Sequence, residues 1–272
     1  MLKQNLHTHT TYCDGQDSPE AMIETAIEKK FAILGFSSHG PNEPYDDHFA
    51  LAHDDVNAYV QHLQQLKHRY ASQIKIYCGI EEDAIGRKYD HHMFDYIIGS
   101  VHMVETGNTY KTIDHQKDLT LNIINDYYHH DFLAFAQNYF KQMDKLIADE
   151  QVDIIGHFDL LTKFNEDEMM IAFDDPAYLN LCFKMIDKII AHDKIFEVNT
   201  GAIARGYRSL PYPHPNLLRY IASQNGKLLL NSDCHDRRYL DCYYDPALLL
   251  IKQCGFKEWM ILTDEGFKKT AI

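Results

Sequence analysis

Two histidines spaced i and i+2 stand near the start of the chain, in the stretch Leu6-His7-Thr8-His9-Thr10-Thr11-Tyr12-Cys13-Asp14-Gly15. Residues i and i+2 of an extended strand point to the same face. His7 and His9 can therefore reach one cation together, and the Asp14 carboxylate follows in the turn. A lone His-x-His is a weak signal, but here the pattern recurs. Polar, liganding residues follow one apolar run after another: His39 after 31–36, Glu81 after 74–80, His102 after 94–101, His157 after 152–156, Asn199 after 195–198, and Asp233 and His235 after 228–231. Imidazole nitrogen and carboxylate oxygen are ligands for zinc, manganese and iron alike. The set exceeds what one catalytic zinc needs, and it suffices for two or three ions if a carboxylate bridges. Asp233-Cys234-His235 repeats the i, i+2 geometry, which turns Cys234 away. Cys13, Cys78 and Cys234 are read as small apolar fillers.

Elements that bring such residues together must alternate. Ser18-Pro19-Glu20 reads as a helix start, with a favoured N-cap followed by proline at the first helical position. A second helix is expected over 56–70, a long and mainly helical stretch over 116–149, and further helices over 176–192, 216–224 and 246–254. The apolar runs between them are strands. His62 and His68 read as solvated helix residues, and the pairs His91-His92 and His129-His130 as surface. Alternating β and α elements argue for α/β architecture with a mostly parallel sheet. Liganding residues at successive strand ends suit a closed barrel better than an open doubly wound sheet, because only a ring brings all the ends together. The shorter helices and long loops predict a distorted barrel. The loop 40–55 is long, with an acidic part over 43–55, and loops of that length inside a domain are often functional.

Composition narrows the function. The chain has 272 residues, 45% of them hydrophobic, enough for a full core, and no linker-like segment divides it, so 1–272 is expected to be one barrel domain. The net charge of -14 disfavours non-specific nucleic-acid binding, which rests on cationic contacts to phosphate. It allows a small anionic substrate, because bound cations can reverse the polarity of a site. No run of about 18 apolar residues predicts a membrane span, and the first residues do not read as a signal peptide. A cytoplasmic protein with free thiols is expected, and the six cysteines form no C-x-x-C pair.

The stretches His7-Thr8-His9, Ser38-His39, Gly79-Ile80-Glu81, Gly99-Ser100-Val101-His102, Gly156-His157-Phe158-Asp159 and Ser232-Asp233-Cys234-His235 appear in one order across nearly the whole chain. In this the chain resembles the polymerase-and-histidinol-phosphatase (PHP) metal hydrolases. The segment 197–208, with Arg205 and Arg208, is similar to the histidinol-phosphate phosphatase branch. The resemblance implies a distorted (β/α)7 barrel with three divalent metal ions (zinc, manganese or iron) at the C-terminal ends of the strands. By that resemblance His7, His9, Glu81 and Asp233 hold the first ion. Glu81 bridges to a second, completed by His102 and His157, and Asp14, His39 and His235 hold the third. Asp14 stands where some members carry histidine, and the eighth apolar run, 259–262, reads as a C-terminal addition.

The implied activity is hydrolysis of L-histidinol phosphate to L-histidinol and phosphate, a step of histidine biosynthesis. A metal-bridging hydroxide would be the nucleophile, since metal binding lowers the pKa of water. Arg205 or Arg208 would clamp the phosphoryl oxygens with a guanidinium fork, and Lys163 is a further phosphate contact. Asp233 and a metal-bound water are alternative proton donors to the leaving group. Rival readings are a PHP-type phosphoesterase or exonuclease acting on nucleotides or another small phosphate ester, a non-catalytic metal-bound module, and an amidase-type barrel.

Overall fold

The computed structural model describes residues 2–42, 49–86 and 90–272, with the side chain of His91 left outside. Along the chain the elements run β1 (Gln4–Asn5), α1 (Pro19–Glu28), β2 (Ile33–Phe36), α2 (Val56–Tyr70), β3 (Lys75–Asp83), β4 (Tyr96–Ser100), β5 (Met103–Thr106), β6 (Thr109–Thr112), α3 (Lys117–Tyr128), α4 (Phe132–Ala148), β7 (Ile154–Ile155), α5 (Pro176–Ala191), β8 (Ile195–Asn199), α6 (Gly201–Ala204), α7 (Pro215–Ser223), β9 (Lys227–Asn231), α8 (Tyr244–Gln253), β10 (Glu258–Thr263) and β11 (Gly266–Ala271). Helices α1, α4 and α5 start at side-chain caps. Ser18 Oγ accepts from Ala21 N at 3.3 Å, Asp131 Oδ1 from Leu133 N at 2.9 Å and Asp175 Oδ1 from Ala177 N at 2.9 Å. Each cap satisfies an amide that the first helical turn leaves without a partner.

Seven strands form one sheet in the order β1-β2-β3-β4-β7-β8-β9, and every pairing in it is parallel. The ring closes just beyond the strands. A parallel bridge joins Thr8 to Cys234, with His9 N donating to Cys234 O at 2.8 Å and Cys234 N to His7 O at 3.1 Å. Beneath that bridge two asparagines take the place of a ladder: Asn231 Oδ1 accepts from Leu6 N at 2.7 Å and Asn5 Oδ1 from Ser232 N at 3.3 Å. This is the distorted (β/α)7 barrel that the resemblance implies, and the closed parallel ring that the alternation predicted. Inside it, Tyr96 spans the strands, its hydroxyl donating to Leu6 O at 2.5 Å and Phe36 O at 3.1 Å. A Cβ on Gly35 or Gly79 would run into the Tyr96 side chain, so these two positions make room for the ring.

Several expectations need correction. The stretch 116–149 is two helices, broken at His129 and His130, whose φ angles of 54° and 63° are left-handed. Both histidines are exposed there. Strand β3 runs on through Asp83, so Glu81 sits inside a strand and not after one. The hairpin β5–β6 was not foreseen. Of the acidic loop, residues 43–48 lie outside the described residues, and His53–Asp55 form a short 3-10 turn. The eighth apolar run is the strand β10, paired only with β11 and outside the barrel sheet. Gln4 pins it there, donating to Met260 O at 3.3 Å and accepting from Leu262 N at 2.8 Å. Among the described residues no helix is long and apolar enough to cross a membrane.

Candidate metal centre

Alternate residues of the barrel strands point inward, and at the C-terminal ends those inward residues are the candidate ligands. His7 and His9 face the same way, as their spacing predicts. His7 Nε2 lies 3.2 Å from Glu81 Oε2 and 3.7 Å from Asp233 Oδ1, and His9 Nε2 lies 3.6 and 3.3 Å from the same two atoms. On the other oxygen of Glu81, Oε1, converge Ser100 Oγ at 2.6 Å, His157 Nε2 at 3.1 Å and His102 Nε2 at 3.4 Å. Around Asp14 Oδ1 stand His235 Nε2 at 3.3 Å, His39 Nε2 at 3.7 Å and His9 Nδ1 at 3.8 Å. Among the described residues three groups are compact enough for one ion each: His7, His9 and Asp233; His39, Glu81 and His102; and His9, Asp14, His39 and His235. Glu81 occupies the middle: its Oε2 faces His7, His9 and, at 2.8 Å, His39 Nδ1, and its Oε1 faces His102 and His157. His9 and His39 each border two groups through their two ring nitrogens, which is less tidy than the division implied by the resemblance.

The chemistry of the donor set is that of a metal site. His7 Nε2, His9 Nε2, Glu81 Oε2 and Asp14 Oδ1 are buried and make no hydrogen bond. Buried polar atoms normally find partners, because leaving one unsatisfied costs on the order of 1–3 kcal/mol. Four such atoms facing common ground, all imidazole nitrogens or carboxylate oxygens, fit divalent cations. Without cations the groups hold one another by charge. Burial opposes ionisation of Glu81 and Asp233. His7, His39 and His102 outweigh it at Glu81, and Arg205 and His7 outweigh it at Asp233, so both stay well below the usual carboxylate range. Burial likewise opposes the charging of His7 and His102. Glu197, Glu81 and Asp233 around His7, and Glu81 and Asp83 around His102, raise both well above an ordinary imidazole. His9, buried and next to His235 and His39, is pushed the other way. Burial pushes the Cys13 thiol up to about 11 and Cys234 up to about 12, and both keep their protons as fillers would.

A second set of carboxylates orients the first, as is usual around metal-binding histidines. Glu197 is fully buried. Its Oε1 lies 2.6 Å from His7 Nδ1 and accepts from Asn231 Nδ2 at 2.8 Å, and its Oε2 accepts from Asn199 Nδ2 at 2.8 Å and His157 N at 2.9 Å. Asp83 Oδ2 lies 3.2 Å from His102 Nδ1 and accepts from His102 N at 2.9 Å. Sequence reasoning assigned neither a role, although both carry a signal. Glu197 is a lone charge in the apolar strand Ile195-Phe196-Glu197-Val198, and Asp83 shares a strand face with Glu81 at i+2. Asn199 proves to be a buried brace for Glu197.

Over the ligands opens a cavity of about 250 Å³. Arg205, Lys163, Asp114, Tyr207 and Phe49 line it together with residues of the cluster. Arg205 Nη2 pairs with Asp233 Oδ2 at 2.9 Å, and its Nη1 donates to Asp233 O at 3.2 Å. His235 Nδ1 lies 3.1 Å from that same carbonyl. Arg205 Nη1 lies 3.1 Å from the same ring nitrogen, and Nε2 of His235 faces Asp14. Lys163 Nζ donates to Asp114 O at 2.6 Å, and burial lowers its pKa despite Asp114. Arg208 stands elsewhere. Its guanidinium is buried 4.4 Å over the Tyr212 ring and donates to Thr162 Oγ1 at 2.9 Å, and it does not line the cavity. Two arginines so close in sequence looked equivalent, but the turn at Gly206, with φ 75°, separates their directions.

The PHP domain matches residues 5–201. A Schizosaccharomyces pombe protein named "Probable histidinol-phosphatase" is 27% identical, over 92% of this chain and 86% of its own. The histidinol-phosphatase of Bacillus subtilis is 23% identical, over 91% of this chain and 99% of its own. Among solved structures, the histidinol phosphate phosphatase of Lactococcus lactis subsp. lactis, complexed with zinc, L-histidinol and phosphate, superposes with a TM-score of 0.73 at 20% identity. It covers 98% of this chain and 99% of that one.

Proposed function

The chain belongs to the PHP family, and from that premise we propose that it is a phosphoric monoester hydrolase converting L-histidinol phosphate to L-histidinol and phosphate. The names of the relatives support this substrate. The observation that carries the reaction type is the meeting of unpartnered ligand atoms with two cationic side chains across one cavity. We read 1–272 as one catalytic domain working in the cytoplasm.

We assign His7, His9, Glu81 and Asp233, then Glu81, His102 and His157, then Asp14, His39 and His235, to three divalent cations. When bound, such ions would supply an activated water at neutral pH and positive charge for the phosphoryl oxygens. The chain's own residues do the rest. Glu197 and Asp83 hold His7 and His102 by their Nδ1 atoms, so that each ring presents Nε2 inward. Asp233 divides its carboxylate, with Oδ1 toward His9 and Oδ2 on Arg205. It thus sets Arg205 at the edge of the ligand cluster, where the remaining guanidinium protons face the cavity and can take a phosphoryl oxygen. Lys163 lines the same cavity. The Phe49 and His115 rings, 5.2 Å apart, and Tyr207 line the cavity. They offer flat apolar surface to the imidazole end of the substrate.

The test is phosphate release from histidinol phosphate, simple alkyl phosphates and nucleotides, with and without chelator. Chelator-sensitive release with histidinol phosphate as the best substrate is expected. Nucleotides hydrolysed as fast or faster would overturn the substrate assignment, and release untouched by exhaustive chelation would overturn the metal reading.

A further inference from the structure

Helix α2 supplies no candidate ligand, yet one face of it reaches three ligand-bearing segments. Tyr59 and His62 lie one turn apart and so share that face. Tyr59 is fully buried. Its hydroxyl donates to Gly79 O at 2.9 Å, two residues before Glu81, and accepts from Ser38 N at 3.4 Å, one residue before His39. His62 Nδ1 lies 3.0 Å from the hydroxyl of Tyr12, two residues before Asp14, and its Nε2 lies 3.0 Å from Glu20 Oε1 on α1. The Tyr12 ring stands edge-on to Tyr59 with centroids 5.3 Å apart. The order of the bonds follows from the groups. Ionised Glu20 only accepts, so Nε2 donates to it, and the bare Nδ1 accepts the Tyr12 proton. His62 was expected to be a solvated helix residue, but it links two helices and a loop.

Asp14 is the ligand that needs such help. His7 and His102 are each gripped directly by a carboxylate, and Glu81 lies within a strand. Asp14 sits on a loop, and its Oδ1 has no hydrogen bond among the described residues. The loop's own backbone bonds, Cys13 N to Thr10 O at 2.9 Å and Gly15 N to Thr10 O at 3.1 Å, fix the shape of the turn. Toward His235 the turn is tied by Gln16 N, which donates to His235 O at 2.8 Å; on the α2 side the Tyr12–His62 bond, at 3.0 Å, ties it. We propose that His62 is a positioning residue: through Tyr12, and anchored on Glu20, it sets Asp14 against His39 and His235 and so determines how tightly the cation of that group is held.

The inference rests on the metal-centre reading, and the experiment separates the two. Zinc is titrated into metal-stripped protein by calorimetry for the wild type, His62→Ala and His62→Gln, with thermal melts of each stripped protein. Gln is the conservative variant, because its carbonyl can accept from Tyr12 while its amide donates to Glu20. His62→Ala is expected to weaken one ion, that of the Asp14 group, by about tenfold, the lower end of the effect of removing a group bonded directly to a ligand, since His62 acts through Tyr12. The other ions should be unchanged, and His62→Gln should restore the affinity. Three outcomes would overturn the proposal: wild-type affinities in His62→Ala, an equal weakening of every ion, or a loss that His62→Gln fails to restore. Wild-type protein that takes up no zinc would instead remove the metal-centre reading itself.

Discussion

Glu197 shows how much one side chain beyond the ligand set controls. Every hydrogen bond it accepts comes from a group that builds the centre or braces it, and it has no exposed surface. Glu197→Gln keeps the volume but sets an amide against donors. Metal affinity should fall about tenfold to a hundredfold, measured by competition with a chelator, and intact affinity would make Glu197 a purely structural charge. Arg205 poses a different question because it touches both the cavity and Asp233. Arg205→Ala should lower kcat/KM for the phosphate ester by about 10²–10³, the scale of one lost charge-stabilising donor. Metal content by elemental analysis should stay at the wild-type ratio. Parallel loss of metal would show that the arginine chiefly holds Asp233.

At the scale of elements, the barrel works by bringing short strands to a common rim. Strand β1 has two residues and β7 two, so laddering alone would hold them weakly. Interior side chains make up the difference, and Tyr96 ties Leu6 and Phe36 to its own strand, β4. Its ring fills the space left by Gly35 and Gly79. Gly79→Ala should therefore cost about 1–3 kcal/mol by overpacking, read from urea unfolding. A variant as stable as the wild type would mean that the ring can shift freely. Gly79 was legible in the sequence only as part of a family-like stretch. Its packing partner lies 17 residues away in the next strand, and no local pattern joins them.

Over the whole molecule the dominant fact is a concentrated charge network with cations as its natural completion. Metal-free, His7, His39 and His102 are raised above an ordinary imidazole while Glu81 and Asp233 are lowered. A raised imidazole stabilises the fold fully below its unfolded pKa and ceases to as pH climbs through its folded value. A lowered carboxylate stabilises above its unfolded pKa and ceases to as pH falls through its folded value. Metal-free protein should then be most stable between the ordinary carboxylate and imidazole ranges, and should weaken as pH rises past the raised imidazoles. Zinc needs the bare imidazoles, so its added stabilisation should grow over that same rise. At a free concentration of about 100 Kd it would reach about 2.7 kcal/mol per ion. Melts across pH, with chelator and with zinc, check this, and parallel curves would contradict it.

What the sequence determined by itself was periodicity and chemistry. The α/β alternation, the cap at Ser18, the shared face of His7 and His9, and the recurrence of ligands at strand ends are local properties. They follow from side-chain direction and from residues a few positions apart. The tertiary structure alone decided which groups meet. It turned Arg208 away while leaving Arg205 at the rim, broke one long helical stretch into two, and drew Glu197, Asp83 and His62 into the support of the centre. Hydrogen bonds between residues dozens or hundreds of positions apart carry those choices, such as His7 to Glu197, Leu6 to Asn231 and Tyr12 to His62. Such pairings depend on how the ring closes, and no short window of sequence contains both partners.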